Sequence, residues 1–283
     1  MSENVQKTLR DSAALRWLAL ILLAGAMFCS YIFMDILSPI KDLMWDTKGW
    51  DSTAFGTMQG SETFLNVFVF FLIFAGIILD KMGVRFTAIL SGAVMLVGAT
   101  INWYALTDMF AGSNLEVWFN EHLNYIPGFD ELGVSPFYKG MPASAKFSAI
   151  GFMIFGCGVE MAGITVSRGI VKWFKGREMA LAMGSEMALA RLGVATCMIF
   201  SPMFARLGGE VSVSRSVAFG VVLLMIALIM FIVYAFMDKK LDSQTGEAEE
   251  KDDPFKLSDL GKILTDSGFW LVALLCVLYY SAI

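Results

Sequence analysis

Long apolar runs alternate with polar stretches along the chain. Six of them are full length, at residues 15–37, 54–79, 86–106, 147–171, 179–205 and 217–237. A run of about 20 residues, rising 1.5 Å each, crosses a hydrocarbon layer of roughly 30 Å. Each run therefore predicts a spanning helix, because backbone groups in lipid must satisfy one another within the chain. A seventh run begins near Phe269 and is still apolar at Ile283, which reads as the start of helix 7 of a longer protein. The first run is too long for a signal-peptide core and lacks a small-residue cleavage site, so it predicts a retained helix.

The polar stretches complete the layout. Residues 1–14 precede the first helix, and residues 15–237 form a six-helix bundle. A long loop at 107–146 carries an amphipathic piece at 114–123. A charged linker at 238–267 ends in KLSDLGKIL, which can lie as a short helix on a membrane surface. Residues 268–283 open a second bundle. Thirteen Lys and Arg fall on the side of the N-terminus, the Lys81–Arg85 hairpin, the Lys172–Arg177 turn and the linker, against six on the other side. By the positive-inside rule the N-terminus and the linker are cytoplasmic and the 107–146 loop faces outward.

Composition supports this reading. The hydrophobic share is 57% and the charged share 17%, against about 45–50% and about 25% in soluble chains. The lipid bilayer is the expected partner. A net charge of −5 gives no reason to expect nucleic acid. Cys29, Cys157, Cys197 and Cys276 lie in apolar runs without C-x-x-C spacing, and His122 is the single histidine. No metal set or cofactor is expected. No H-E-x-x-H or G-x-S-x-G pattern occurs, so the chain is not read as an enzyme.

Between the second and third runs stands Gly76-Ile-Ile-Leu-Asp80-Lys81-Met-Gly83-Val-Arg85. This resembles the G-x-x-x-D-[RK]-x-G-x-[RK] loop of the major facilitator superfamily. Gly76 lets another helix approach, Asp80 ends the helix and can face a helix N-terminus, and Gly83 supplies a tight turn. The resemblance implies an all-α membrane protein of the major facilitator fold: the N-terminal six-helix bundle plus the start of helix 7, out of twelve helices. It also implies that Gly76, Asp80, Lys81, Gly83 and Arg85 latch the two halves together. The missing C-terminal half is then a partner, and residues 1–283 alone are not expected to transport.

Ionisable residues inside spans cost about 2.5–3.5 kcal/mol each on insertion scales and usually face a cavity or a partner. They are Asp35, Glu62, Glu160, Arg168, Glu186 and Arg191. Glu160 and Arg191 come out at similar mid-membrane depth on successive antiparallel helices, where transporter sites lie. Either they form an ion pair locking those helices, or Glu160 meets the ammonium and Arg191 the carboxylate of a zwitterionic small molecule. Spacing does not separate the two. Asp35 and Glu62 lie nearer the outer face, and Arg168 is within snorkelling reach of the inner face. The aromatic pair Trp173 and Phe174 reads as an interfacial belt. The stripe Ala180, Gly184, Ala188 reads as close helix packing.

The run from Lys172 to Gly193 (KWFKGREMALAMGSEMALARLG), with Gly156-Cys-Gly-Val-Glu160 before it and Tyr31-Ile-Phe-Met-Asp35 on the first helix, resembles one branch of that superfamily. It is similar to the lysosomal dipeptide uniporters and their bacterial relatives. The resemblance implies facilitative or secondary active transport of small peptides by alternating access, with Glu160 and Arg191 contacting substrate; Asp35 and Glu62, as ionisable residues inside spans, are further candidates for binding it. Glu186 stands where the branch has a neutral residue, which makes Glu186 and Glu62 candidates for proton coupling. The alternative is a proton-coupled transporter of a small organic anion or other metabolite. With no N-x-[ST] sequon and no acidic dileucine near its start, the chain is expected in a bacterial inner membrane, crossing it several times.

Overall fold

The computed structural model describes residues 8–245, 261 and 264–281. Its helices fall in two units, Met1–Glu249 and Glu250–Ile283, each considered by itself. Most of the KLSDLGKIL segment and of the charged linker lies outside the described residues.

In the first unit, α1 (Ala13–Met34) stops where Asp35 leaves helical geometry and the 3-10 turn Ser38–Ile40 introduces Pro39, which cannot continue a helix. α2 (Lys41–Lys48) follows and ends on Gly49 at φ 67, the left-handed cap that glycine adopts freely.

The second apolar run departs from expectation. It is cut into α3 (Ser52–Gly60), the 3-10 turn Ser61–Thr63, α4 (Phe64–Phe68) and the first part of α5 (Phe71–Ala105). α5 also contains the third apolar run, because the chain turns at Gly83 (φ 79, ψ 168) without losing its helix on either side. Apolar periodicity cannot reveal such a cut, since residues on both sides of it are equally oily. α6 (Asn114–His122) is the expected amphipathic piece, started by Ser113, whose side chain accepts from the Glu116 N–H at 3.2 Å. α7 (Ala143–Trp173), α8 (Met179–Ala205) and α9 (Val213–Thr245) match the last three runs of this unit. The second unit contains α10 (Ser267–Ser281).

Five helical stretches are long and apolar enough to cross a membrane, among the described residues: Ala13–Lys48, Phe71–Ala105, Ala143–Trp173, Met179–Ala205 and Val213–Thr245. The cut α3–α4 run lies beside them.

Small residues set the packing. A Cβ added at Gly98 would lie 2.5 Å from the Gly151 carbonyl oxygen, and one at Gly158 would lie 2.7 Å from the Met95 nitrogen. α5 and α7 therefore cross backbone to backbone, as small residues allow in lipid. Gly193 on α8 lies against the Phe28 carbonyl of α1, and Gly220 on α9 against the Phe33 ring. Ser201 Oγ donates to the Ile36 carbonyl at 2.5 Å, and Ser216 Oγ to the Ser201 carbonyl at 2.6 Å. These bonds tie α1, α8 and α9 beside Pro202.

α9 runs on to Thr245, past the expected linker boundary at 238, because its last turns are anchored. Asp238 is fully buried and accepts from Lys172 Nζ at 2.7 Å and Trp173 Nε1 at 3.0 Å. Asp242, one turn on, pairs with Arg85 at 2.5 Å and Lys172 at 2.7 Å. Trp173 and Phe174 are buried rather than forming an interfacial belt, because Asp238 draws the Trp173 N–H inward.

Candidate functional site

The Gly83 turn behaves as its residues suggest, with two corrections. Gly83 adopts a φ that side chains rarely take. Asp80 lies in the last turn before the Gly83 kink of α5, and it accepts from Arg168 Nη1 at 2.5 Å rather than facing a helix N-terminus. Arg168 is thus bound to an acid of the same unit while its side chain stays about one-third exposed. Gly76 meets nothing within 4 Å, so no described helix uses the close approach it permits. Lys81 is exposed, and Arg85 joins α5 to α9 through Asp242. Sequence reading missed this junction of Arg85, Lys172, Asp238 and Asp242. The spacing of Asp238 and Asp242, one helical turn apart after an apolar run, was the available signal.

The mid-membrane residues come together. Glu160 lies about 20 Å from the Trp173 end of α7, and Arg191 about 18 Å from the Met179 start of α8, at 1.5 Å per residue. Both lie within electrostatic range of Tyr31 on α1, as do Glu62 and Glu186. Arg191 is also in range of Asp35, and Glu62 in range of Glu160 and Asp35. Asp35 is reached because it caps α1, where Ser38 Oγ donates to it at 3.3 Å. Glu62 is reached because its carbonyl rests against Gly156, where a methyl group would collide with it. Gly156 is one turn before Glu160, which keeps Glu62 and Glu160 within electrostatic range of each other.

The ion pair that would lock α7 to α8 is not formed. Glu160 and Arg191 appear in none of the salt bridges of the described residues, while Arg16, Arg85, Arg168, Lys172 and Arg177 do. Glu160 is half-buried and Arg191 exposed within this chain. Gln59 Nε2 donates to the Met34 carbonyl at 3.1 Å, while its buried Oε1 has no partner. Gln59 and Tyr31 are the neighbours sequence reading undervalued. Tyr31 stands there only as part of a motif, although a tyrosine in the last turn of α1, one turn before an acid, was a visible polar signal.

The stripe Ala180, Gly184, Ala188 is exposed, and nothing lies within 4 Å of Gly184. No helix packs there among the described residues. Cys29, Cys157 and Cys197 are buried, Cys276 is exposed, and all are free. No group of three or more His, Cys, Asp or Glu able to hold a metal occurs among the described residues.

Helices this long and apolar, packed on one another, define a polytopic membrane protein. The model of the Major Facilitator Superfamily matches residues 23–283, and the chain belongs to that family. Over 277 residues it is 23% identical to the lysosomal dipeptide transporter MFSD1 of Homo sapiens, covering 95% of this chain and 51% of the relative. The Pongo abelii protein of the same name gives the same figures. That of Gallus gallus is 28% identical over 142 residues, 47% of this chain and 32% of its own. The chain thus spans at most about half the length of these relatives. No solved structure matches it.

Proposed function

We propose that the chain supplies the N-terminal half of a transporter that carries small peptides across a membrane by alternating access, with Glu160 and Arg191 gripping opposite ends of the substrate. The observation that carries this reading is that both side chains act electrostatically on Tyr31, yet among the described residues neither is spent on a salt bridge. An acid and a guanidinium held apart suit a zwitterion, whose ammonium and carboxylate stand at its two ends. Small peptides are such molecules, and the relatives named as dipeptide transporters point the same way. Asp35 and Glu62 widen the acidic side of the site. The Gly83 turn lies on the cytoplasmic side of a bacterial inner membrane in this reading, in keeping with its surplus of Lys and Arg.

The test is uptake of radiolabelled alanyl-alanine by proteoliposomes containing the full-length gene product. Arg191→Ala is expected to lower uptake about 30-fold or more, since losing one partner of a desolvated charge contact costs about 2–5 kcal/mol. Uptake of sugars or monocarboxylates, and never of peptides, overturns the substrate. Unchanged peptide uptake by Arg191→Ala overturns the site.

A further inference from the structure

The second apolar run holds a feature that peptide binding does not explain. It is cut between Gly60 and Phe71, yet the stretch FLNVFVFF after Thr63 contains no glycine or proline to cut it. In lipid such a stretch favours a continuous helix, because that closes every backbone bond. At the cut, Phe70 takes φ 55, a conformation that is unfavourable for a bulky residue and persists only where its surroundings impose it. Phe70 itself is 62% exposed, so nothing clasps it directly.

The grip is on α4. Phe64 and Phe68 lie one turn apart with ring centroids 5.0 Å from each other, and Phe129 meets them edge-on at 5.2 and 5.3 Å. Phe129 belongs to the 107–146 segment, which is anchored on both sides of it. Lys146 is buried at the start of α7, and its Nζ donates to the Phe119 carbonyl at 3.1 Å and to Asn124 Oδ1 at 3.2 Å. Ser135 Oγ donates to the Phe137 carbonyl at 2.7 Å and accepts from the Ile126 N–H at 3.3 Å. The Tyr138 hydroxyl donates to Asp51 Oδ1 at 3.4 Å, at the cap of α3. Phe110 and Phe119 pack on Phe147 of α7.

We propose that residues 107–146 are a strap whose Phe129 holds the second apolar run in its cut form, and that withdrawal of Phe129 lets residues 64–73 join into one helix. The run is then a two-state element. Its cut form needs the aromatic grip, and its joined form follows from the sequence of the run alone. Glu62 sits in the turn before α4 with its carbonyl against Gly156, so a change of state moves a carboxyl group of the mid-depth site. The strap thereby links the 107–146 face to that site, whether or not the cargo is a peptide.

The test uses spin labels at Thr63→Cys and Met82→Cys in the full-length gene product in lipid nanodiscs, with Cys276→Ser to remove the exposed thiol. The two positions bracket the cut, and an unbroken helix between them spans about 28 Å at 1.5 Å per residue. The wild-type background is expected to give a different distance, and Phe129→Ala to shift the population to about 28 Å. Because Phe129→Ala can fail to fold, a second protein puts a cleavable short cross-link between Phe68→Cys and Phe129→Cys in place of the ring contacts, installed before spin labelling, and its cleavage should shift the population to the unbroken distance. Cross-linked, it should hold the wild-type distance. A wild-type distance already at the unbroken value, no change in Phe129→Ala, or failure of the 68–129 pair to cross-link overturns the strap.

Discussion

At the residue scale, burial separates the charges that hold the bundle from those that only decorate it. Asp238 is fully buried among Lys172, Trp173 and Tyr234, whereas Asp80 and Arg168 are each about one-third exposed. Removing Asp238 leaves the buried Trp173 N–H without its acceptor and Lys172 with Asp242 alone, and a buried polar group left unsatisfied costs about 1–3 kcal/mol. An exposed pair is worth about 1 kcal/mol or less. Asp238→Ala should therefore lower the thermal midpoint of the detergent-solubilised protein more than Asp80→Ala, a contrast differential scanning fluorimetry reads directly. Equal effects would mean that the junction of α7 and α9 does not bear the load assigned to it. A smaller effect is expected at Asp11, whose carboxylate is held below its usual range by the Thr8 N–H and hydroxyl, with Arg177 adding to this. A lowered acid contributes its stability above its unfolded value and loses it as pH falls through the folded one. Acidification below the ordinary carboxylate range should thus lower the amide protection at residues 8–12, taken against the intrinsic exchange rate at each pH, before the bundle responds.

At the element scale, the spans were legible in sequence wherever apolar character and helix coincide. Residues 147–171 became Ala143–Trp173, and 179–205 came out with the same bounds. What hid the cut in residues 54–79 is that its cause lies elsewhere: Phe129 and Gly156 are remote in sequence, and no local breaker announces them. The same holds for α9, whose last turns looked like polar linker until Arg85 and Lys172 were found to neutralise them. The Glu160–Arg191 site was legible because charge inside an apolar run is rare, while Tyr31 and Gln59 carried no charge to mark them. The crossing of α5 and α7 gives a further prediction. Gly98→Ala places its methyl 2.5 Å from the Gly151 carbonyl, forcing the helices apart at a cost of about 1–3 kcal/mol. Gly163→Ala meets nothing within 4 Å, and improves helix propensity by up to about 1 kcal/mol. Thermal unfolding should therefore move in opposite directions for the two variants.

At the scale of the whole molecule, charge sets which way the bundle stands. The end bearing Gly83 gathers Arg16, Lys81, Arg85, Arg168, Lys172 and Arg177, and acids pair only some of them: Asp80, Asp238, Asp242, Glu178 and Asp11. Lys81 stays exposed there. The other end carries the 107–146 strap, where Lys146 is buried and Trp118 is about half exposed. Moving Lys and Arg across a membrane against its potential is unfavourable, so the Gly83 end should remain in the cytoplasm and the strap should face out. Single cysteines settle this in intact cells expressing the full-length gene product. Trp118→Cys should react with a membrane-impermeant maleimide added outside. Lys81→Cys should react only after the cells are opened, since it is exposed beside the Gly83 turn. The reverse pattern would invert the bundle, and with it the side from which a cargo first meets Glu160 and Arg191.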